Sequence, residues 1–339
     1  MEIRSAQVTD LAQIEKIYNE GLTLDLSGKG ANTPVKLWQI INRVFASLIP
    51  LAIPSDLLYV LESENEIKGF IQGEIIYGNS IKGVQAVGIA RILNLALVKQ
   101  LPPGTGGMLI DHLCNESLQK GISRVYVRVP EKHPVIESFK AQGFLHYASE
   151  EVLYIDDIKR TERRVKKRQE GVEGLRKASQ KDLFGLFNLY LASTPKKVSA
   201  KESPDFAHWI ALYGSEWLNR FSQRSHHNLV VERTEIIGWL GITFAHPGEP
   251  HTLSIMARPN AKPKGALQGA LLREGVASLR DSQGAAWCNV RNYDISTTRV
   301  LQMNGFETLT GQELMVRESK LSVLEKSDVR MKNLKMVFN

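Results

Sequence analysis

The pattern of hydrophobic and polar positions predicts the same series of elements twice along the chain. Each half opens with a short extended stretch, followed by a helix whose apolar residues recur at helical spacing. The two openings are "IRSAQVTDLAQIEKIYN" (3–19) and "LRKASQKDLFGLFNLYL" (175–191), with Asp10 and Asp182 as the expected N-caps. These matching openings are the first indication of an internal duplication.

A β-hairpin comes next in each half, because two apolar runs are joined by a polar turn. The hairpins are predicted in "YVLESENEIKGFIQGEII" (59–76) and "LVVERTEIIGWLGITF" (229–244). Another strand follows each hairpin, "RILNLALV" (91–98) in the first half and "HTLSIMA" (251–257) in the second. Both halves therefore predict three consecutive strands after the opening helix.

Both halves then pass through a glycine-containing loop into a helix. The two segments are "GTGGMLIDHLCNESLQKG" (104–121) and "GALQGALLREGVASLRDSQG" (265–284). Glycine lets the backbone approach another group closely, and the first N–H groups of a helix have no internal partner. Such a junction favours an anion, most often a phosphate, although a tight turn that binds nothing is equally compatible with this stretch.

Each half closes with a strand, a short helix that ends in Gly-Phe, and a last strand. The closing segments are "SRVYVRVP" (123–130), "VIESFKAQGF" (135–144) and "EEVLYI" (150–155), and then "AAWCNVRN" (285–292), "ISTTRVLQMNGF" (295–306) and "QELMVRE" (312–318). The shared order predicts a duplicated α/β domain with a mixed sheet. We expect domains at 1–156 and 175–320, a basic linker at 157–174 and a C-terminal tail at 321–339.

The charge balance favours anionic partners. The chain of 339 residues carries 43 Lys and Arg against 36 Asp and Glu, a net charge of +7. Much of this excess is local, because "KRTERRVKKR" (159–168) is almost wholly basic. Such a run is usually a solvated connector and less often a nucleic-acid contact. Nucleotides and cofactor phosphates are therefore the expected partners, and nucleic acid is not.

Targeting and metal-binding patterns are absent from the sequence as written. The N-terminal "MEIRSAQVTD" lacks the basic and apolar regions of a signal peptide. The most apolar long stretch, 37–53, is interrupted by polar residues and a proline, so no membrane span is expected. Cys114 and Cys288 are far apart and form neither a disulfide framework nor a metal-ligand pattern. We expect a cytoplasmic protein without a metal, and the sequence leaves its oligomeric state open.

The complete order of elements resembles the GCN5-related N-acetyltransferase (GNAT) superfamily in both halves, over nearly the whole chain. The "VVERTEIIGWLG" hairpin and the "QMNGF" segment are similar to what that family shows. The resemblance implies two tandem domains of the GNAT-like acyl-CoA N-acyltransferase fold. It also implies an N-acetyltransferase that transfers acetyl directly from acetyl-CoA to an amine of a small molecule, peptide or protein.

The resemblance also assigns candidate cofactor-binding residues. Loop amides would hold the pyrophosphate of acetyl-CoA at a helix N-terminus, and the preceding strand would offer backbone groups to the pantetheine arm. The residues carried over are Leu97, Val98, Gly104, Thr105, Gly106 and Gly107 in the first half, and Lys264 and Gly265 in the second. In the second half, Ala266 and Gln268 replace the two motif glycines. The first half is therefore expected to hold the cofactor.

The catalytic candidates are Glu74 on the second hairpin strand and Asn94 on the next strand. Either side chain can point into the central cleft, and a carboxylate such as that of Glu74 can accept the proton of an amine. A solvent-facing position on the strand is the alternative for Glu74. The family often has a proton-donating Tyr about four residues before the Gly-Phe, but this chain has Phe139 and Leu301 there.

Two other functions stay open at this point. Because Phe139 and Leu301 cannot donate a proton, the chain is also compatible with a non-catalytic acyl-CoA-binding or regulatory protein. Aminoacyl transfer from tRNA by a related duplicated fold is a third interpretation, which only the basic run 159–168 favours. The identity of the acceptor is not predicted by any motif.

Overall fold

A computed structural model of the chain describes residues 1–20, 22–25, 56–78, 85–159, 172–214, 226–244, 250–259, 265–280 and 284–319. Three of the predicted features fall outside these residues. They are the cofactor-binding candidate Lys264, most of the basic run 159–168 and the C-terminal tail 321–339.

The first half contains seven strands and three helices among the described residues. They are β1 (Glu2–Ser5), α1 (Leu11–Glu20), β2 (Leu22–Asp25), β3 (Asp56–Ser63), β4 (Glu66–Tyr77), β5 (Gly88–Leu97), α2 (Thr105–Gln119), β6 (Arg124–Pro130), α3 (Val135–Ala141) and β7 (Leu145–Ile155). The hairpin, the helix after the glycine loop and the short helix ending at Gly-Phe all form where the sequence pattern predicts them.

The second half repeats this plan with additional short helices. It contains β8 (Leu175–Lys177), α4 (Leu183–Ser193), α5 (Lys196–Glu202), α6 (Phe206–Trp209), β9 (His226–Glu232), β10 (Ile236–Thr243), β11 (His251–Ala257), α7 (Ala266–Ser278), β12 (Ala286–Arg291), α8 (Ile295–Met303) and β13 (Glu307–Glu318). The predicted duplicated α/β fold with mixed sheet pairing is confirmed.

The compact units of the molecule do not coincide with the two halves of the sequence. The first unit comprises Met1–His146 with Glu313–Asn339, and the second comprises Tyr147–Gln312. In the first unit the strand order is β1-β3-β4-β5-β6-β13, and in the second it is β7-β12-β11-β10-β9-β8. The last strand of the first half, β7, therefore belongs almost wholly to the second unit, and the C-terminal part of β13, from Glu313 onward, belongs to the first.

Polar contacts fix the end of β13 in the first unit. Ser319 donates its N–H to the carbonyl of Ser123 at 2.8 Å, and Arg124 forms a 2.9 Å ion pair with Glu318. In the second unit β7 runs antiparallel to β12, with Ile155 opposite Ala286. Side-chain alternation in a strand does not specify its partner, so neither pairing follows from the sequence pattern.

Helices cover both faces of the first unit's sheet. On one face, Ile14 of α1 packs with Phe70 and Ala96. On the other face, Leu109 of α2 belongs to a cluster that includes Leu95. Because side chains alternate along a strand, even-numbered neighbours of Phe70 on β4 point toward the α1 side. This alternation decides which polar side chains of β4 and β5 share a face.

A charged network recurs at the start of each unit. In the first unit, Arg4 donates from Nε to Glu62 at 2.6 Å and from Nη1 to Asp10 at 2.7 Å. The carboxylate of Asp10 also accepts the N–H of Gln7 at 2.7 Å. Asp10 therefore caps the short 3₁₀ turn before α1 rather than the first turn of α1, a correction to its expected role as N-cap.

The second unit has the same arrangement. Arg176 donates from Nε to Glu232 at 2.7 Å and from Nη2 to Asp182 at 2.7 Å, and Asp182 accepts the N–H of Ser179 at 2.7 Å. Asp182 is the N-cap residue of α4, as predicted, but its side chain accepts no hydrogen bond from that helix and instead caps the preceding 3₁₀ turn. In each unit one arginine thus contacts two carboxylates at nearly equal distances, which supports the duplication at the level of side chains.

Candidate functional site

Strands β5 and β6 of the first unit diverge toward their carboxyl ends. They pair in parallel at two positions only, where 90–91 lies opposite 125–126. Both strands continue beyond this point, β5 to Leu97 and β6 to Pro130. The carboxyl half of β5 is therefore separated from β6, and an opening forms between the two strands.

A β-bulge lies in the part of β5 that leaves β6. Gln72 of β4 lies opposite Asn94, but Gly73 lies opposite Ile92, so Leu93 is an extra residue on β5. A bulge bends its strand and increases the local twist, and such bulges are frequent beside active sites. The bulge at Leu93 gives a local reason for the divergence of β5.

The glycine loop forms the N-terminus of α2 beyond the end of β5. Gly104 is the N-cap and has a φ of 89°, a left-handed conformation that favours glycine. Thr105 donates its hydroxyl to the carbonyl of Pro102 at 2.6 Å. The amides of Gly106 and Gly107 lie in the first turn, where a helix offers no carbonyl partner. Together with the helix dipole, these amides form a favourable environment for a phosphate.

The loop lies against the end of β5, as the predicted cofactor site requires. A Cβ atom at Gly106 would lie 3.4 Å from Cδ1 of Leu97, and one at Gly107 would lie 2.8 Å from Nε2 of Gln142. Val98 donates its N–H to the carbonyl of Lys68 at 2.9 Å. Of the sequence-predicted loop glycines, Gly106 is therefore the one that lies beside Leu97.

Strand β2 occupies the outer edge of β5 at this point. It pairs antiparallel with β5 from Leu22 opposite Leu97 to Asp25 opposite Asn94. Since β4 covers the other edge of β5 along its whole length, β2 lies on the edge that faces the opening. This is the edge expected to bind the pantetheine arm. The backbone groups at 94–97 are therefore paired here.

Four polar side chains line the α1 side of β4 and β5. Asn94 donates from Nδ2 to Oε1 of Gln72 at 2.7 Å, and both residues are buried. Arg91 forms a 3.0 Å ion pair with Glu74. The two predicted candidates, Glu74 and Asn94, therefore share one face of adjacent strands, each with a partner on the neighbouring strand.

Sequence reasoning missed the partners Gln72 and Arg91. A signal for Gln72 was present, because polar residues at 72 and 74 interrupt an apolar strand with a period of two. Arg91 stood at the predicted start of β5, where a charged residue is unremarkable. Its pairing with Glu74 depends on the register of β4 and β5, which the sequence pattern does not specify.

The position of the family's proton-donating Tyr is core in both units. Phe139 and Leu301 are both 0% exposed. Phe139 packs edge-to-face on Phe144 of the Gly-Phe pair, with ring centroids 5.1 Å apart. Neither position can supply a proton to a leaving thiolate.

The second unit repeats the loop geometry without the bulge. Gly265 is the N-cap of α7 with a φ of 80°, close to that of Gly104. Strands β10 and β11 pair without a register shift, from Gly238 opposite Ala257 to Thr243 opposite Thr252. β11 pairs in parallel with β12 at 251–253 only. The second unit therefore has the divergence of two strands, but not the bend that the first unit shows.

A buried ionic network lies on the sheet of the second unit. Arg291 at the end of β12 donates to Glu202 at 2.5 Å and lies 3.6 Å from Glu150. Tyr190 donates its hydroxyl to Glu202 at 2.9 Å. Burial alone would lower the pKa of Arg291, but the two carboxylates raise it well above its ordinary value. These charged groups bind one another, which favours a structural role.

The described residues contain neither a metal-binding cluster nor a membrane-spanning helix. Among these residues, no group of three or more His, Cys, Asp or Glu side chains is placed to hold a metal ion. No helix within the described ranges has both the length and the hydrophobicity that crossing a bilayer requires.

Comparison with known proteins identifies the fold. No protein-family model and no curated protein sequence matches the chain. A tandem GNAT protein from the clavulanic acid biosynthesis pathway, solved without acetyl-CoA, is 13% identical with a TM-score of 0.54 over 95% of this chain and 100% of that one. A GCN5-related N-acetyltransferase from Sphaerobacter thermophilus is 13% identical with a TM-score of 0.54, over 95% and 96% of the chains.

A third structure shares the fold and contains a ligand. Saccharomyces cerevisiae N-myristoyltransferase with bound myristoyl-CoA is 12% identical, with a TM-score of 0.50 over 95% of this chain and 79% of that one. At identities this low, the likeness concerns the fold and not the activity. The chain therefore has the tandem GNAT-like fold that its sequence resembles.

Proposed function

We propose that this protein is an N-acyltransferase that transfers an acetyl group from acetyl-CoA to an amine, and that its first unit carries the reaction. The observation that carries the proposal is the position of the Gly104–Gly107 loop at the open end of the bulged strand β5. The N-terminus of α2 follows the end of β5, and the polar pair of Asn94 and Gln72 lies next to the bulge in the same strand, which supports the proposal.

The loop and β5 supply the proposed cofactor site. The amides of Gly106 and Gly107 hold the pyrophosphate, since the N–H of Thr105 donates to the carbonyl of Pro102. The backbone at Leu97 and Val98 guides the pantetheine arm. Because β2 occupies the outer edge of β5, we propose that the arm displaces β2 when it binds. Gly265 is the corresponding N-cap in the second unit, where Gln268 stands near the helix start and no bulge bends β11.

The polar face of β4 and β5 supplies the proposed chemistry. Asn94 positions the neutral amine, and Glu74 takes up the proton that the amine loses. The amine nitrogen attacks the thioester carbonyl, a C–N bond forms, and the C–S bond then breaks. Solvent water protonates the departing thiolate of CoA, since Phe139 offers no proton, and Glu74 then returns the proton of the amine to the solvent. The products are the N-acetyl amine and free CoA.

A thiol-release assay tests this proposal. Purified protein is incubated with acetyl-CoA and a panel of amines, and free CoA is measured for wild type and Glu74→Gln. We expect turnover in the wild type and a kcat about 10²-fold lower in Glu74→Gln, the typical contribution of a general base. The matched control Glu137→Gln, which removes an exposed carboxylate 2.8 Å from Lys140, is expected to keep wild-type turnover.

A non-catalytic acyl-CoA-binding protein is the second candidate, and the burial of Phe139 and Leu301 favours it. Such a protein would bind acetyl-CoA without releasing thiol on any amine. Binding with a flat thiol signal across the panel would therefore replace the enzyme proposal with this one.

A further inference from the structure

Within the part of the chain that the structure describes, two buried polar atoms on the α1 side of β5 have no hydrogen-bond partner. They are Oδ1 of Asn94 and Nε of Arg91. The other polar contacts of these residues are defined, because Asn94 Nδ2 is bonded to Gln72 and Arg91 Nη2 is paired with Glu74. Asn94 is only 2% exposed. Unpaired buried polar atoms are costly and rare in native proteins, so these two require an explanation.

The bulge at Leu93 brings the two side chains together. Arg91 lies opposite Glu74, and Asn94 lies opposite Gln72. Gln72 and Glu74 are successive residues on one face of β4, so their Cα atoms are about 7 Å apart. Arg91 and Asn94 are consequently same-face neighbours, although three residues separate them along β5. Without the extra residue they would point to opposite faces.

The two atoms differ in chemistry, and together they define a complementary ligand. Oδ1 of Asn94 accepts a hydrogen bond, and Nε of the Arg91 guanidinium donates one and favours an anion. The complement is an N–H group beside a carboxylate. An α-amino acid has its amine and its carboxylate on the same carbon, which suits two neighbouring side chains.

We infer that the acceptor of the first unit is a free α-amino acid, an inference that rests on the proposed acyl transfer. Asn94 accepts a hydrogen bond from the amine, and Arg91 binds the carboxylate while Glu74 holds its guanidinium. A carboxylate adjacent to the reacting amine is missing from simple alkylamines and from peptide N-termini. Both classes are therefore expected to be poor acceptors.

The test compares each α-amino acid with its decarboxylated amine and with its amide, for example phenylalanine with phenethylamine and phenylalaninamide. Free CoA is measured with the full-length protein. For the best amino acid, kcat/KM is expected to exceed that of its amine about 100-fold, since a site built to bond a polar group rejects analogues that lack it. In Arg91→Gln this ratio is expected to fall to near one. Arg124→Gln, which removes an ion-paired arginine from β6, is the matched control and keeps the ratio.

The outcomes separate this inference from the proposed function. Equal kcat/KM values for amino acids, amines and amides would overturn the amino-acid inference. The turnover measured in that case would still support acyl transfer. An unchanged ratio in Arg91→Gln would also overturn it. Absence of acetyl-CoA binding would overturn the proposed function. If acetyl-CoA binds, titration of the same amino acids must produce a calorimetric signal, and its absence for the whole series overturns the inference.

Discussion

Asn94 of β5 donates a 2.7 Å hydrogen bond to Gln72 of β4 directly across the strand pair, and both side chains are buried. The register places this pair next to the bulge at Leu93, where β5 begins to separate from β6. Burial of an amide group costs free energy of desolvation unless its polar atoms form hydrogen bonds. At the open end of β5, the pair is placed to bind the amine in the reaction that we propose.

Replacement of Asn94 tests this role. Asn94→Ala removes the acceptor atom, and we expect kcat/KM for the amine to fall about 10- to 100-fold, the cost of an unmet hydrogen bond in a buried site. The Kd of acetyl-CoA is expected to stay within about twofold of the wild-type value, since the phosphates bind elsewhere. Steady-state kinetics and calorimetry measure the two quantities. An equal loss in both would show that Asn94 serves folding rather than the amine.

Strand β2 is expected to compete with acetyl-CoA for the edge of β5. The double variant Thr23→Pro/Leu24→Pro removes two N–H groups from β2, so at least one ladder hydrogen bond to β5 is lost. We expect acetyl-CoA to bind about 5- to 10-fold more tightly, because the competent state becomes more populated. Thr23→Ala/Leu24→Ala keeps both N–H groups and is the control. Weaker binding in the proline variant alone would show that β2 supports the cofactor site instead of covering it.

The Arg176–Asp182 pair predicts a pH dependence of stability. The hydrogen bond from Arg176 is the main cause that lowers the pKa of Asp182 from 3.8 to about 2. Because the folded-state pKa lies below that of the unfolded chain, the stabilisation is complete above pH of about 4 and is lost as the pH falls toward about 2. Asp182→Asn is expected to cost about 1–2 kcal/mol at pH 7 and almost nothing at pH of about 2.

Urea unfolding at a series of pH values measures this dependence. The difference between wild type and Asp182→Asn should shrink as the solution is acidified. Asp157→Asn, at a half-buried position whose carboxylate accepts the backbone N–H of Lys159, is the control and should follow the wild type. A difference that stays constant from pH 7 to pH 2 would contradict the assignment to the ionised carboxylate.

Replacement of Arg291 alone is expected to lower the free energy of unfolding strongly. Arg291→Gln leaves Glu202 and Glu150 buried without their cation, and removal of one partner from a buried ion pair costs about 3–5 kcal/mol. Lys140→Gln, which breaks the exposed pair with Glu137, is expected to cost less than about 0.5 kcal/mol. Chemical denaturation compares the two. A loss of unfolding free energy in Arg291→Gln as small as that in Lys140→Gln would show that water reaches the Arg291 network.

Much of the fold could be predicted from the sequence because local signals specify it. The polar turn at 64–65 defined the β3–β4 hairpin, and Gly104 marked the start of α2 through a left-handed conformation that few other residues adopt. The duplication was visible because each local signal recurred in the same order. These features need no knowledge of distant contacts.

The sheet that β7 and β13 each join could not be predicted in this way. Each strand presents an alternating pattern that fits either sheet, and the choice depends on contacts such as Arg124 with Glu318. The short strand β2 gave no signal, since four residues are too few for a periodicity. Asn94 and Glu74 were found by residue type and position, but their partners required the register of β4 and β5.

Calorimetric titration of acetyl-CoA into wild type, Gly104→Val and Gly265→Val tests most directly whether the first unit binds the cofactor. The two glycines have the same left-handed N-cap conformation in different units, so the variants impose the same backbone strain. Thermal unfolding verifies that each variant folds. We expect one site per chain, lost in Gly104→Val and retained in Gly265→Val. Binding that survives in Gly104→Val and disappears in Gly265→Val, or no binding in the wild type, would contradict this expectation.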